Sequence, residues 1–225
     1  MRKLILSAVL AGASLLGILA PVHAAEFEAG KHYTELRNPV PVAVPGKIEV
    51  VEMFWYGCPH CYHLEPALRE WSKKLPADVN FIHVPALFGN LWQIHGQLFL
   101  ALESMGVESK VRTAVFEAIQ KQGNRLKTPE EMAEFLAGHG VDKAKFLATY
   151  NSFAIKGQMQ KAMKLGMAYQ VTGVPALIVN GKYRLNVPSS EPEQLLKLAD
   201  FLIEKERAAA AAASAAPAAP AASAR

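Results

Sequence analysis

Cys58 and Cys61 are the only cysteines of the chain, and they stand three residues apart where a strand pattern gives way to a helix pattern. The segment Lys47-Ile48-Glu49-Val50-Val51-Glu52-Met53-Phe54 is β-branched, mostly apolar and preceded by the turn signal Pro45-Gly46. It predicts a central strand buried on both faces. Trp55-Tyr56-Gly57 leads into Cys58-Pro59-His60-Cys61, after which Leu64, Leu68 and Trp71 recur at helical spacing. Cys58 therefore falls at the helix N-cap and Pro59 at the first helical position, where its missing N–H costs nothing. Pro66 lies inside the helix and is expected to kink it.

The remaining elements place this corner in an α/β arrangement. A second strand is expected from Val79 to Val84, after the turn Pro76-Ala77-Asp78. Residues 90–150 hold no convincing strand. Ile94, Leu98, Leu102 and Met105 share one helical face, and Val111, Val115 and Ile119 share another. Thr128-Pro129-Glu130-Glu131 is a capping box with proline at the first helical position, and Asp142 opens a further short helix. These helices form a cluster inserted into the α/β part. A helix from about Phe153 to Tyr169 leads back to two strands around Asn180-Gly181, a strong hairpin signal, and to a last helix carrying Leu195, Leu198 and Leu202.

The two ends are read apart from this body. Residues 1–24 run from Arg2-Lys3 through an apolar stretch to Pro21 and Val22-His23-Ala24, the order of a secretory signal peptide with cleavage after Ala24. Residues 208–225 hold only Ala, Ser, Pro and one Arg, which cannot build a core and read as a mobile tail. The leader takes two basic residues and no acidic one with it, which lowers the +4 of the whole chain to +2. A charge that small argues against nucleic acid as a partner. The body thus folds outside the cytoplasm, and nothing in it demands more than a monomer.

In an oxidising compartment a structural disulfide framework closes long loops, and a Cys58–Cys61 bridge closes almost none. The pair points to chemistry instead. A thiol at a helix N-terminus meets free backbone N–H groups and the positive end of the helix dipole, and both favour the thiolate, as does His60 when protonated. Stabilising the thiolate stabilises the reduced pair, so its disulfide becomes a better oxidant. A metal site would want about four ligands, whereas only His60 and His63 lie near the cysteines. Haem attachment would need histidine where Tyr62 stands.

Taken together, Glu52-Met53-Phe54, Cys58-Pro59-His60-Cys61-Tyr62, the helical region 90–150, and Gly173-Val174-Pro175-Ala176 running into Val179-Asn180-Gly181-Lys182-Tyr183 resemble the DsbA family of periplasmic thiol:disulfide oxidoreductases. The similarity spans about Phe27 to Lys205. It implies a thioredoxin-like fold whose parts, residues 25–89 and 153–207, enclose an inserted all-helical domain, residues 90–152. It further implies that Cys58 is the nucleophile and Cys61 its buried partner, that Pro59 and His60 set the potential, and that Val174 and Pro175 form a cis-proline loop receiving substrate. Glu52 matches a buried acid that would pass a proton to Cys61. The basic residue usually near that acid is not evident, since Phe81 stands where it would align. No organic cofactor is implied. The implied partners are newly exported, cysteine-containing proteins and a quinone-linked, DsbB-like membrane reoxidase. Within redox chemistry a reductase or isomerase is the alternative, although residues 25–46 are too few for an isomerase's dimerisation domain. A peptide-binding chaperone with incidental cysteines is the reading from another class.

Other residues carry blander expectations. Met159, Met163 and Met167 repeat at helical spacing and read as core, with a share in an adaptable groove as the lesser reading. Glu65 reads as part of a solvated helix face, and His32, His83, His95 and His139 show no ligand spacing. Trp55 and Tyr56 read either as an apolar surface for unfolded chains or as half-buried structural aromatics.

Overall fold

In the computed structural model, which describes residues 27–215, the chain runs β1 (Tyr33–Glu35), β2 (Ile48–Phe54), α1 (Pro59–Ser72), β3 (Val79–Pro85), α2 (Asn90–Ser104), α3 (Glu108–Gln120), α4 (Pro129–Ala137), α5 (Lys143–Tyr150), α6 (Phe153–Ala168), β4 (Ala176–Val179), β5 (Tyr183–Leu185) and α7 (Pro192–Ala215). The proposed leader, residues 1–24, lies outside the described residues.

The strands form one mixed sheet in the order β1-β5-β4-β2-β3. β2 pairs in parallel with β3 and antiparallel with β4. Its apolar run is explained by cover on both sides. Val50 packs with Leu64, Leu68, Leu198 and Leu202 beneath α1 and α7, whereas Val51 and Met53 pack with Ala162 and Tyr169 beneath α6. The β2–β3 register sets Glu52 opposite His83.

The helices α2 to α5 surround a core of their own, in which Leu98, Leu102, Val115, Phe116 and Phe146 are fully buried. Phe54, Cys58 and Cys61 belong to this core. The cysteine corner is therefore packed by the helical insertion as well as by the sheet. The capping box at α4 forms as expected, with Thr128 accepting the N–H of Glu131 and the Glu131 carboxylate accepting that of Thr128. At the β4–β5 turn Asn180 and Gly181 both take positive φ, 51° and 60°. A Cβ on Gly181 would also come within 2.0 Å of the Val40 carbonyl oxygen, so this position demands glycine twice over.

α1 carries Pro66 inside it and runs to Ser72. Several expectations are corrected. The tail reading fails for residues 208–215: α7 continues to Ala215 because consecutive alanines carry the best helix propensity and the first proline comes only at Pro217. Residues 216–225 lie outside the described residues. Strand β1, only three residues long, left no pattern to read. Met163 and Met167 are not core, being 45% and 67% exposed. The buried stripe of α6 is Ile155, Ala162 and Gly166. The methionines sit beside that stripe, and a spacing of four marks a helical face without saying which way the face points.

Candidate active site

Cys58 is the N-cap of α1, in extended backbone conformation, and its Sγ accepts the N–H of Cys61 at 3.4 Å. The Cys58 thiol lies 3.4 Å from the carbonyl oxygen of Val174 and donates to it. The Val174–Pro175 peptide bond is cis, and this loop precedes β4. The two cysteines are in the dithiol state. Pro59 and His60 are exposed at the start of the helix.

The two thiols face opposite electrostatic conditions. Cys58 is lowered to about 6, first by the hydrogen bond from the Cys61 thiol, against a burial cost, and then by the backbone N–H groups of Cys61 and His60 and the charge of His60. Cys61 is wholly buried, and burial pushes its thiol far above the ordinary range, with the shared hydrogen bond and the charges of Glu52 and Cys58 adding to the shift. One sulfur is thus poised as a thiolate near neutral pH and the other is held as a thiol.

Behind them lies a buried ionic cluster. Arg112, on α3, donates to Glu65 Oε2 at 2.7 Å, Glu108 Oε1 at 3.0 Å and Glu52 Oε2 at 3.2 Å. Its guanidinium also lies 4.2 Å from the centre of the Phe54 ring. Tyr56 donates to Glu108 Oε1 at 2.6 Å, and burial followed by the Glu108 charge raises its hydroxyl. His83 Nδ1 stands 2.6 Å from Glu52 Oε2. Burial raises Glu65, and the neighbouring carboxylates raise Arg112 despite its own burial.

This cluster corrects two readings. Glu65 is buried rather than solvated, because α3 covers that face of α1. Two basic groups stand beside Glu52: His83 of β3, two residues past Phe81, and Arg112 of the inserted helices, 60 residues away. Spacing rules search near an acid in sequence and could not find them. Trp55 stacks on Trp92 at 4.1 Å and donates to His95, whose other ring nitrogen meets the Arg125 carbonyl oxygen. Both Trp55 and the buried Tyr56 are thus held in place as structural aromatics.

A family model, the DSBA-like thioredoxin domain, matches residues 82–199, more than half of the chain. That match begins past the two cysteines, but relatives cover them. The thiol:disulfide interchange protein DsbA of Pseudomonas aeruginosa PAO1 is 68% identical over 211 residues, spanning 93% of this chain and 99% of that protein. The chain belongs to the DsbA family.

Among DsbA proteins farther away, that of Burkholderia cepacia is 44% identical over 82% of this chain and 87% of its own. The crystal structure of P. aeruginosa DsbA superposes with a TM-score of 0.80 at 69% identity, covering 83% of this chain and 98% of that one. Reduced DsbA1 of Neisseria meningitidis does so with 0.74 at 30% identity, over 84% and 99%. The thioredoxin-like fold with its helical insertion is therefore that of the DsbA family. A low pKa at the nucleophile and an oxidising pair are general traits of DsbA, so the direction found at Cys58 follows a known trend.

Proposed function

We propose that this chain donates a Cys58–Cys61 disulfide to exported proteins in the periplasm, with Cys58 as the attacked sulfur. The observation that carries this reading is the position of Cys58 Sγ, which accepts an N–H of its own helix start and faces the Val174 carbonyl oxygen across the cis-proline loop. A substrate thiolate attacks Cys58 Sγ and breaks the Cys58–Cys61 bond, and Cys61 leaves with the electron pair and takes up a proton. A second substrate thiolate then attacks the substrate sulfur of the mixed disulfide. Cys58 leaves as a thiolate, which its surroundings stabilise. The substrate loses two electrons and the enzyme gains them.

Pro59 and His60 tune the nucleophile, and Val174 and Pro175 present backbone to an extended substrate segment, whose N–H groups the Val174 oxygen can accept. Glu52 mediates proton exchange with Cys61, a role supported by its complete burial and by its charge acting on that thiol. A quinone-linked, DsbB-like membrane protein takes the two electrons back. The chain is exported through residues 1–24, is cleaved after Ala24 and works as a monomer.

The test is redox titration of the mature protein against glutathione. A potential well above that of the glutathione couple is expected, and one close to thioredoxin's would overturn the oxidant reading.

A further inference from the structure

A small pocket of about 160 Å³ opens between the residues just before Cys58 and the inserted helices. Trp55 and Gly57 line it from the cysteine corner, Leu91 and His95 from α2, Ile119 from α3, and Arg125 from the connection between α3 and α4. No acidic residue is among them.

The walls of this pocket are fixed. A Cβ on Gly57 would come within 2.2 Å of the Trp55 ring, so glycine is what lets the indole lie against the chain there. The indole N–H donates to His95 Nδ1 at 3.0 Å. A carbonyl oxygen only accepts, so the neutral His95 ring donates from Nε2 to the Arg125 oxygen, also at 3.0 Å. Burial lowers His95, and the Arg125 charge lowers it further against the backbone bonds at Arg125 and Leu126. The ring therefore brings no competing charge to the pocket at neutral pH. Leu126 is fully buried with a φ of 44°, unfavourable for leucine, and its N–H is held by Asn124 Oδ1 at 3.2 Å. The main chain at Arg125 is thus pinned from both sides, while its side chain is exposed.

That side chain is a cation without a carboxylate partner among the described residues. The acids nearest to it in sequence are committed elsewhere: Glu117 to Lys121, Glu131 to the start of α4, and Glu134 to Lys143. A guanidinium beside a pocket with apolar walls matches a carboxylate carried on a short aliphatic stem. Leu91 and Ile119 supply those walls.

We propose that Arg125 and this pocket receive an acidic side chain of the substrate protein, one or two residues from the cysteine that attacks Cys58. This rests on the disulfide-exchange reading above. Gly57 and Cys58 are consecutive, with Cα atoms about 3.8 Å apart, and an extended chain advances about 3.3 Å per residue. A side chain entering the pocket therefore belongs to a close neighbour of the reacting cysteine. The Val174 oxygen meets substrate backbone, which every sequence offers, whereas the pocket reads a side chain. Arg125 is a specificity-determining residue, and its contribution is that of a partly exposed ion pair, about three- to fivefold in rate.

The experiment measures the second-order rate at which the oxidised mature protein oxidises matched dithiol peptides, by acid quench and mass spectrometry. The peptides carry Glu or Gln at one position beside each cysteine, in separate sets for one and two residues before and after it. The Glu/Gln rate ratio of the wild type is divided by that of Arg125→Gln, so that the effect of Glu on the peptide's own thiol cancels. In at least one set the quotient should be about three to five. Arg125→Glu should lower the ratio further, and high salt should bring the wild-type ratio to that of R125Q. Lys121→Gln, which removes a neighbouring cation outside the pocket, should keep the wild-type ratio. A quotient of one in every set would overturn the proposal, as would an equal loss in K121Q, which would reveal a diffuse field in place of a site. If the wild type oxidises neither Glu nor Gln peptides, the disulfide-exchange reading itself fails; oxidation of both at a ratio indifferent to Arg125 sinks only the pocket.

Discussion

Replacing Cys58 by serine and varying pH isolates the free energy stored in the thiolate. The Cys58 thiol is lowered from 9.0 to about 6 in the fold. Because the folded value is the depressed one, the resulting stability of the reduced protein is complete above the unfolded value. It is lost as pH falls through 6. At about 1.4 kcal/mol for each unit of difference, the thiolate contributes roughly 2.7 kcal/mol at pH 8, about 1.4 at pH 7 and about 0.1 at pH 5. The pH 7 figure corresponds to about 30 mV of added oxidising potential in a two-electron couple. The assay is urea unfolding of wild type and Cys58→Ser, both kept reduced, at pH 5 and pH 8. Serine retains an N-cap acceptor but does not ionise, so the titration of other groups cancels in the difference. The stability of wild type relative to the variant should rise by about 2.5 kcal/mol from pH 5 to pH 8. A difference constant to within about 0.5 kcal/mol would refute the claim that the helix start holds a thiolate.

Further outcomes follow from the same structure. Cys61→Ala should trap covalent adducts with dithiol peptides and complete no turnover, which non-reducing mass spectrometry detects; full turnover would show that Cys61 is not the leaving group. Arg112→Met strands three buried carboxylates, so urea unfolding at pH 7 should show a loss of about 3–5 kcal/mol, shrinking as acid neutralises them. Gly181→Ala places a Cβ at positive φ and against the Val40 oxygen, and thermal unfolding should show at least about 1 kcal/mol of destabilisation. Thr128→Ala, which removes one half of the α4 capping box, should cost about 1 kcal/mol by the same measure.

What the sequence made legible was local. The Cys58 corner, the Thr128 box and the Asn180-Gly181 turn are each specified within a few residues, because caps and turns are solved by neighbouring backbone groups. The mostly apolar run of β2 likewise revealed its burial on both faces. Arg112 escaped notice because its partners, Glu52 and Glu65, meet it only once α3 has packed against α1, and no periodicity encodes that meeting. The contact of His83 with Glu52 was hidden for the same reason, since it follows from the parallel register that sets the two residues side by side. Met163 and Met167 misled in the opposite sense, with a clear helical rhythm and no information about direction.

The placement of Arg112 on α3 also limits how far the cysteine corner can be transplanted. A segment carrying β2 and α1, grafted onto another sheet without the inserted helices, would bring Glu52 and Glu65 into the interior and leave their cation behind. Such a hybrid would have to keep those acids protonated or expose them to water, and its Cys61 would sit beside a different charge. The four-residue motif is short, but the chemistry it performs here belongs to two structural units at once.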